Sequence, residues 1–147
     1  MENTETKTTN QVAESATNLT VIKGVYQSFA TGDFPGFLNA LDPNIEWNEA
    51  ENFPYADGNP YIGPDAVVQG VMARIGADWE YWIISDQVYH VTLDALVIVN
   101  ARYNAKHKIT GKVIRAQVTH LWTLKGGKIT RFQQYADTLQ VTQAMAG

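Results

Sequence analysis

The stretch Arg115-Ala116-Gln117-Val118-Thr119-His120-Leu121-Trp122-Thr123-Leu124 runs through Lys125-Gly126-Gly127 into Lys128-Ile129-Thr130-Arg131-Phe132-Gln133-Gln134-Tyr135-Ala136-Asp137-Thr138. Both arms suit β-strands with two distinct faces, and the paired glycines between them suit a hairpin turn. Asp137 is read as the last inward-facing position of the second arm. A carboxylate there would sit in an otherwise apolar lining, where burying it without a purpose is costly.

Upstream of the hairpin, residues 81–92 and 95–106 read as two further long strands, and the first hairpin arm extends over 112–124. Turns fall near Leu93-Asp94 and Ile109-Gly111. Helical spacing precedes the strands: Leu19, Ile22, Val25, Tyr26 and Phe29 mark a first helix ended by Gly32. Phe34, Phe37, Leu38 and Leu41 mark a second, stopped by Asp42-Pro43. Residues 44–50 read as a strand with Ile45, Trp47 and Glu49 on one face. After a loop over 51–63, Gly63-Pro64-Asp65 opens a third helix reaching about Ile75. Residues 138–147 suit a short terminal helix. Helices gathered before long antiparallel strands predict an α+β domain, with helices covering one face of a curved sheet.

The chain of 147 residues suits a single core, here over 19–147, preceded by a polar tail at 1–18 expected to be mobile. Apolar residues make up 45% and aromatics 11%, ample for a core and an aromatic-lined cavity. A formal charge of −4 with scattered Lys and Arg offers no footprint for nucleic acid. The absence of Cys removes thiol nucleophiles, thiolate metal sites and disulfides. No apolar run has the length of a membrane span and the N-terminus lacks signal-peptide regions, so a cytoplasmic protein is the expectation. No dense His/Asp/Glu spacing supports a metal site and no Gly-rich phosphate loop is present, so cofactor-free chemistry is expected.

Four motifs together are similar to the nuclear transport factor 2-like superfamily, and most of all to its SnoaL-like polyketide cyclase branch. They are Ala30-Thr31-Gly32-Asp33, Leu41-Asp42-Pro43-Asn44-Ile45-Glu46-Trp47, Tyr61-Ile62-Gly63-Pro64-Asp65-Ala66-Val67, and Gly127-Lys128-Ile129 leading to Gln134-Tyr135-Ala136-Asp137. The resemblance spans about residues 19–140. It implies a cone of strongly curved, mostly antiparallel mixed sheet closed by three N-terminal helices, with a blind apolar pocket inside. It also implies a homodimer through the outer sheet face. Related activities include aldol cyclisation, ketosteroid isomerisation and epoxide hydrolysis, so the fold alone does not choose among them.

Position by position, the ketosteroid isomerase set maps onto Asn48, Val25 and Thr119, which cannot perform its chemistry. The limonene epoxide hydrolase set maps onto Ala101, Tyr103 and Asp137, retaining only the last acid, with Trp47 and Glu49 at its water-holding positions. The cyclases resemble the chain best, and they imply Asp137 as a general acid/base.

The resemblance puts Arg115, Gln117 and Thr119 inward to orient a ligand. It puts His120 and Trp122 outward, at the dimer contact. Tyr103 can donate a phenolic hydrogen bond to a substrate or simply pack in the core. Glu49 can serve as a second acid/base group, or point outward with Glu46 and Glu51. Trp47, Tyr55, Trp79 and Tyr135 suit pocket walls. For Asp137 the alternatives are capping the terminal helix or pairing with Arg115 or Arg131. The expected function is therefore a cofactor-independent cyclase, isomerase or hydratase/hydrolase acting on a hydrophobic carbonyl- or ring-containing molecule. A non-catalytic ligand-binding or dimerisation module is the alternative.

Overall fold

The computed structural model describes residues 4–147. Helix α1 spans Thr4–Thr31 and α2 spans Phe34–Ala40. The sequence composition predicts a mobile tail up to residue 18, but the structure carries α1 back to Thr4; residues 1–3 lie outside the described residues. No Gly or Pro interrupts this stretch, and its hydroxyls fold onto their own helix: Thr8 and Thr9 donate to the carbonyls of Thr4 and Glu5, each at 2.9 Å. Ser15 Oγ also reaches Thr92 O at 2.9 Å, tying the extension to the sheet. Gly32, at φ 72°, takes the left-handed turn that ends α1. Asp33 then caps α2, its carboxylate accepting from Gly36 N at 3.0 Å.

Strand β1 covers Leu41–Asn48, beginning earlier than the periodicity predicts because Leu41 pairs with Ile129. Its ladder is irregular between Leu41 and Glu46, which accommodates Pro43. A two-residue strand β2, Tyr61–Ile62, lies inside what reads as loop. The third helix is wound in three parts: α3 Pro64–Val67, a wider π stretch Val68–Met72, and α4 Ala73–Asp78. Gly70 in that stretch lets the Tyr61 ring lie against the helix: a Cβ there would stand 2.1 Å from Tyr61 Cε1. Strands β3 Trp79–Val91, β4 Leu96–His107, β5 Val113–Lys125 and β6 Lys128–Ala136 follow, then helix α5 Thr138–Met145.

The six strands form one open mixed sheet in the order β2-β1-β6-β5-β4-β3. Only the β1–β6 pair is parallel. The predicted hairpin is therefore β5–β6, at the centre of the sheet. One detail of it decides which residues face inward. Thr123 pairs with Arg131 while Leu124 pairs with Ile129, so Thr130 is an extra residue on β6. Counting by two from buried Ile129 would reach Asp137. The bulge reverses the alternation, and Phe132 and Gln134 are the buried positions instead. On β5 the inward set is Ile114, Ala116, Val118, His120, Trp122 and Leu124. The edge strand β3 carries irregularities of its own, one between Trp79 and Tyr81 and one between Ser85 and Val88, where Asp86 is at φ 58°.

Candidate active site

Two buried hydrophobic clusters fill the space between helices and sheet, and Ile75 and Ile84 pack against both. Where they meet, the inward face lines a partly open cavity of about 530 Å³. All four Trp of the chain (Trp47, Trp79, Trp82 and Trp122) stand on its walls, with Phe132 and Ile84. Edge-to-face packing of Trp79 on Trp82 and of Trp47 on Trp122 holds these walls.

Within this apolar shell lies a small set of polar side chains. Glu49 follows the end of β1 two residues beyond Trp47, and Trp47 Nε1 donates to Glu49 Oε1 at 2.9 Å. Asn59 clamps the Glu49 backbone from the opposite side, its Oδ1 accepting from Glu49 N at 3.0 Å and its Nδ2 donating to Glu49 O at 2.8 Å. Glu49 is 3% exposed, and its Oε2 is the one buried side-chain N or O atom among the described residues that has no hydrogen-bond partner.

The second half of the set is a chain of hydrogen bonds. Tyr26 hydroxyl meets His120 Nδ1 at 2.7 Å, and Tyr103 hydroxyl meets His120 Nε2 at 2.6 Å. Trp122 Nε1 donates to the Tyr26 hydroxyl at 3.0 Å, and Gln134 Nε2 donates to the Tyr103 hydroxyl at 2.8 Å. The Gln134 amide is oriented by Ala50 N, which donates to its Oε1 at 3.1 Å. β-Pairing builds the chain: His120 lies opposite Val99 on one side and Gln134 on the other.

Burial controls the charge states. Desolvation raises the Glu49 carboxyl to about 7, opposed only by the Trp47 hydrogen bond. It lowers His120 to about 3, so the imidazole is neutral at physiological pH. Both phenols are pushed well above their ordinary range by burial, and for Tyr103 the neighbouring Glu49 charge adds to it. A buried carboxyl titrating near neutrality on the wall of an aromatic cavity can take or give a proton at working pH.

The structure brings Glu49, Tyr103, Trp47 and Trp79 together in this cavity. Tyr55 stands behind it, receiving Trp79 Nε1 at 3.0 Å and donating to Asp78 Oδ2 at 2.7 Å. The inward placement of Asp137, Arg115, Gln117, Thr119 and Tyr135 is corrected: they line an open, polar groove on the other face of the sheet. There Asp137 caps α5, accepting from Gln140 N at 3.3 Å and from Gln140 Nε2 at 2.8 Å. Arg115 bonds Asp86 Oδ2 and Asn104 Oδ1, and Thr119 donates to Asn100 Oδ1. His120 and Trp122 are corrected in the opposite sense. They are buried in the core and present nothing to a partner.

Apolar content chose the face. Val118, Trp122 and Leu124 are the bulk that must leave water, and His120 goes inward with them. Tyr26 and Gln134 carry no site role in the sequence reading. For Gln134 the available signal was its place two residues beyond Phe132 on the buried face; Tyr26 looks like any aromatic on a helical stripe.

Among the described residues, no group of three or more His, Asp or Glu is placed to hold a metal ion, and no helix is long and apolar enough to cross a membrane.

An NTF2-like protein from Burkholderia thailandensis E264 superposes with a TM-score of 0.83 at 32% identity, over 88% of this chain and 98% of that one. TerC, co-crystallised with polyporic acid, superposes with a TM-score of 0.79 at 21% identity, over 89% of this chain and 99% of that one. A candidate polyketide cyclase from Pseudomonas putida KT2440 gives 0.73 at 15% identity, over 84% and 94%. No curated protein matches the chain. The family model for the SnoaL-like domain matches residues 22–132. That span holds the whole buried polar set except Gln134, and the chain belongs to the SnoaL-like domain family within the NTF2-like superfamily.

Proposed function

We propose that the protein is a cofactor-independent acid/base enzyme acting on a hydrophobic carbonyl compound held in the aromatic cavity, with Glu49 as the proton-transferring group. The observation that carries this reading is the unpartnered, buried Oε2 of Glu49. Such an atom costs folding free energy unless something in the cavity uses it. In the proposed step the Glu49 carboxylate removes a proton from the carbon next to the carbonyl. The C–H electron pair becomes the C=C bond of an enolate, and the carbonyl π pair moves to oxygen. Tyr103 lies on the same cavity as the hydrogen-bond donor for that oxygen. Where the enolate is conjugated with a C=C bond, return of the proton from Glu49 to the far carbon gives isomerisation. Attack of the enolate carbon on a second carbonyl, whose π pair moves to its oxygen and takes the proton from Glu49, gives aldol cyclisation. Neighbours named as polyketide cyclase and isomerase candidates, and one carrying polyporic acid, support a cavity for organic molecules in this fold.

The test is solvent exchange. With 2-tetralone in D₂O, proton NMR should show protein-accelerated loss of the α-proton signals. Glu49→Gln should lower that acceleration by about two orders of magnitude, the usual worth of a positioned general base. Saturable binding of ketones with no exchange in any of them would identify a binding module instead.

A further inference from the structure

The hydrogen-bond chain through His120 can be counted proton by proton. Trp122 Nε1 and the Gln134 amide nitrogen are donors, the latter fixed because Gln134 Oε1 accepts from Ala50 N. Each tyrosine oxygen therefore already accepts one hydrogen bond, and each keeps one proton to give. The two short contacts to His120 Nδ1 and Nε2 need one proton apiece. A neutral imidazole brings one N–H, and the two phenols bring two O–H. Three protons serve two hydrogen bonds, so one phenolic proton is left over in either tautomer.

The tautomer decides which phenol holds it. With the proton on Nε2, His120 donates to Tyr103, Tyr26 donates to Nδ1, and the Tyr103 proton is free to turn away from the ring. With the proton on Nδ1 the roles reverse and Tyr26 holds the spare proton. Glu49 breaks the symmetry: its charge acts on Tyr103 and its Oε2 has no partner, so a proton turned from Tyr103 toward the cavity is favoured. Tyr26 also lies on the cavity wall, among the rings of Phe29, Tyr89 and Trp122, but no carboxylate acts on its hydroxyl.

We infer that His120 is a positioning residue that, as the Nε2–H tautomer, turns the Tyr103 hydroxyl proton into the cavity, and that Tyr103 and Glu49 then select ligands in which a carbonyl oxygen stands beside an acidic C–H or enol O–H. β-Diketones and their enols are that class. Naming this class rests on the proposed acid/base role of Glu49; the tautomer does not.

The experiment uses the full chain labelled with ¹⁵N-histidine. Two-bond proton–nitrogen correlation spectra report each ring's tautomer, and His90→Gln and His107→Gln variants assign the three rings. Nε2–H at His120 is expected, and Nδ1–H overturns the inference whatever the variants do. Alongside, benzoylacetone and butylbenzene are bound by equilibrium dialysis. Tyr103→Phe should weaken benzoylacetone about tenfold, the size of one hydrogen bond to a strong acceptor, and leave butylbenzene within about twofold. Equal losses for both ligands also overturn it. An Nε2–H tautomer with no α-proton exchange would leave His120 as positioning residue and remove the enzymatic reading. Exchange dependent on Glu49 with an Nδ1–H tautomer would do the opposite.

Discussion

Trp47 and Phe132 are direct partners in the parallel β1–β6 ladder and stack nearly face to face, ring centroids 3.8 Å apart at 27°. The stack holds the Trp47 indole where its Nε1–H supplies, among the described residues, the only hydrogen bond to the Glu49 carboxylate oxygens. A packing contact between two rings thus positions the hydrogen bond that opposes the effect of burial on an acid two residues away.

Trp47→Phe keeps an aromatic ring in the stack and removes the N–H. The Glu49 carboxyl loses its one stabilising donor, and its titration midpoint should move above about 7. The ¹³C resonance of the Glu49 side-chain carboxyl, followed with pH, reads this directly. An unmoved or lowered midpoint would remove Trp47 from the electrostatics of the site.

Glu49 also makes stability depend on pH. Its folded-state pKa, about 7, is above the ordinary 4.5, so between those values the folded chain holds a proton that the unfolded chain has released. The contribution is fully present below pH 4.5 and is lost as pH rises to about 7. The loss is on the order of 3 kcal/mol, from about 1.4 kcal/mol per pH unit of separation. Urea unfolding at pH 4.5 and 7.5 should show wild type losing that much relative to Glu49→Gln, which cannot titrate.

Asp137→Asn should leave any α-proton exchange unchanged, because this side chain caps α5 on the far side of the sheet from the cavity. Asn caps nearly as well as Asp, so melting temperature should hardly move. Asp137→Ala should cost about 1 kcal/mol. Loss of exchange in the Asn variant, with folding intact, would return the catalytic role to Asp137.

Gly70→Ala tests the close approach beneath the third helix. Ala ordinarily favours a helix, but the added methyl would meet the Tyr61 ring, whose hydroxyl is held by Tyr55 O at 2.6 Å and Gly58 N at 3.1 Å. Overpacking should win, lowering stability by about 1–3 kcal/mol in chemical unfolding.

The fold was legible because it rests on strong local signals: the glycine turn at 126–127, the helical stripes through Ile22 and Phe37, and the length of four strands. Glu49, one residue past β1, was legible only as one of two facings, whereas Trp47 and Tyr103 were legible for the same reason, since period two carries β1 and β4 without a slip through them. Asp137 was not. A bulge of one residue at Thr130 leaves no mark in the local alternation, yet it reverses every position beyond it. The resemblance places His120 on the wrong face, although Val118, Trp122 and Leu124 beside it mark that side as the one to bury. Its pairing with Tyr26 spans 94 residues, and no spacing rule reaches that far.

The confinement of every indole of the chain to the walls of one cavity gives the protein an intrinsic optical gauge. No tryptophan elsewhere contributes background, so the indole emission, excited selectively over tyrosine, reports the polarity of that single space. Filling it with an organic guest changes the surroundings of all the emitters together, and occupancy can be read from unlabelled protein in solution.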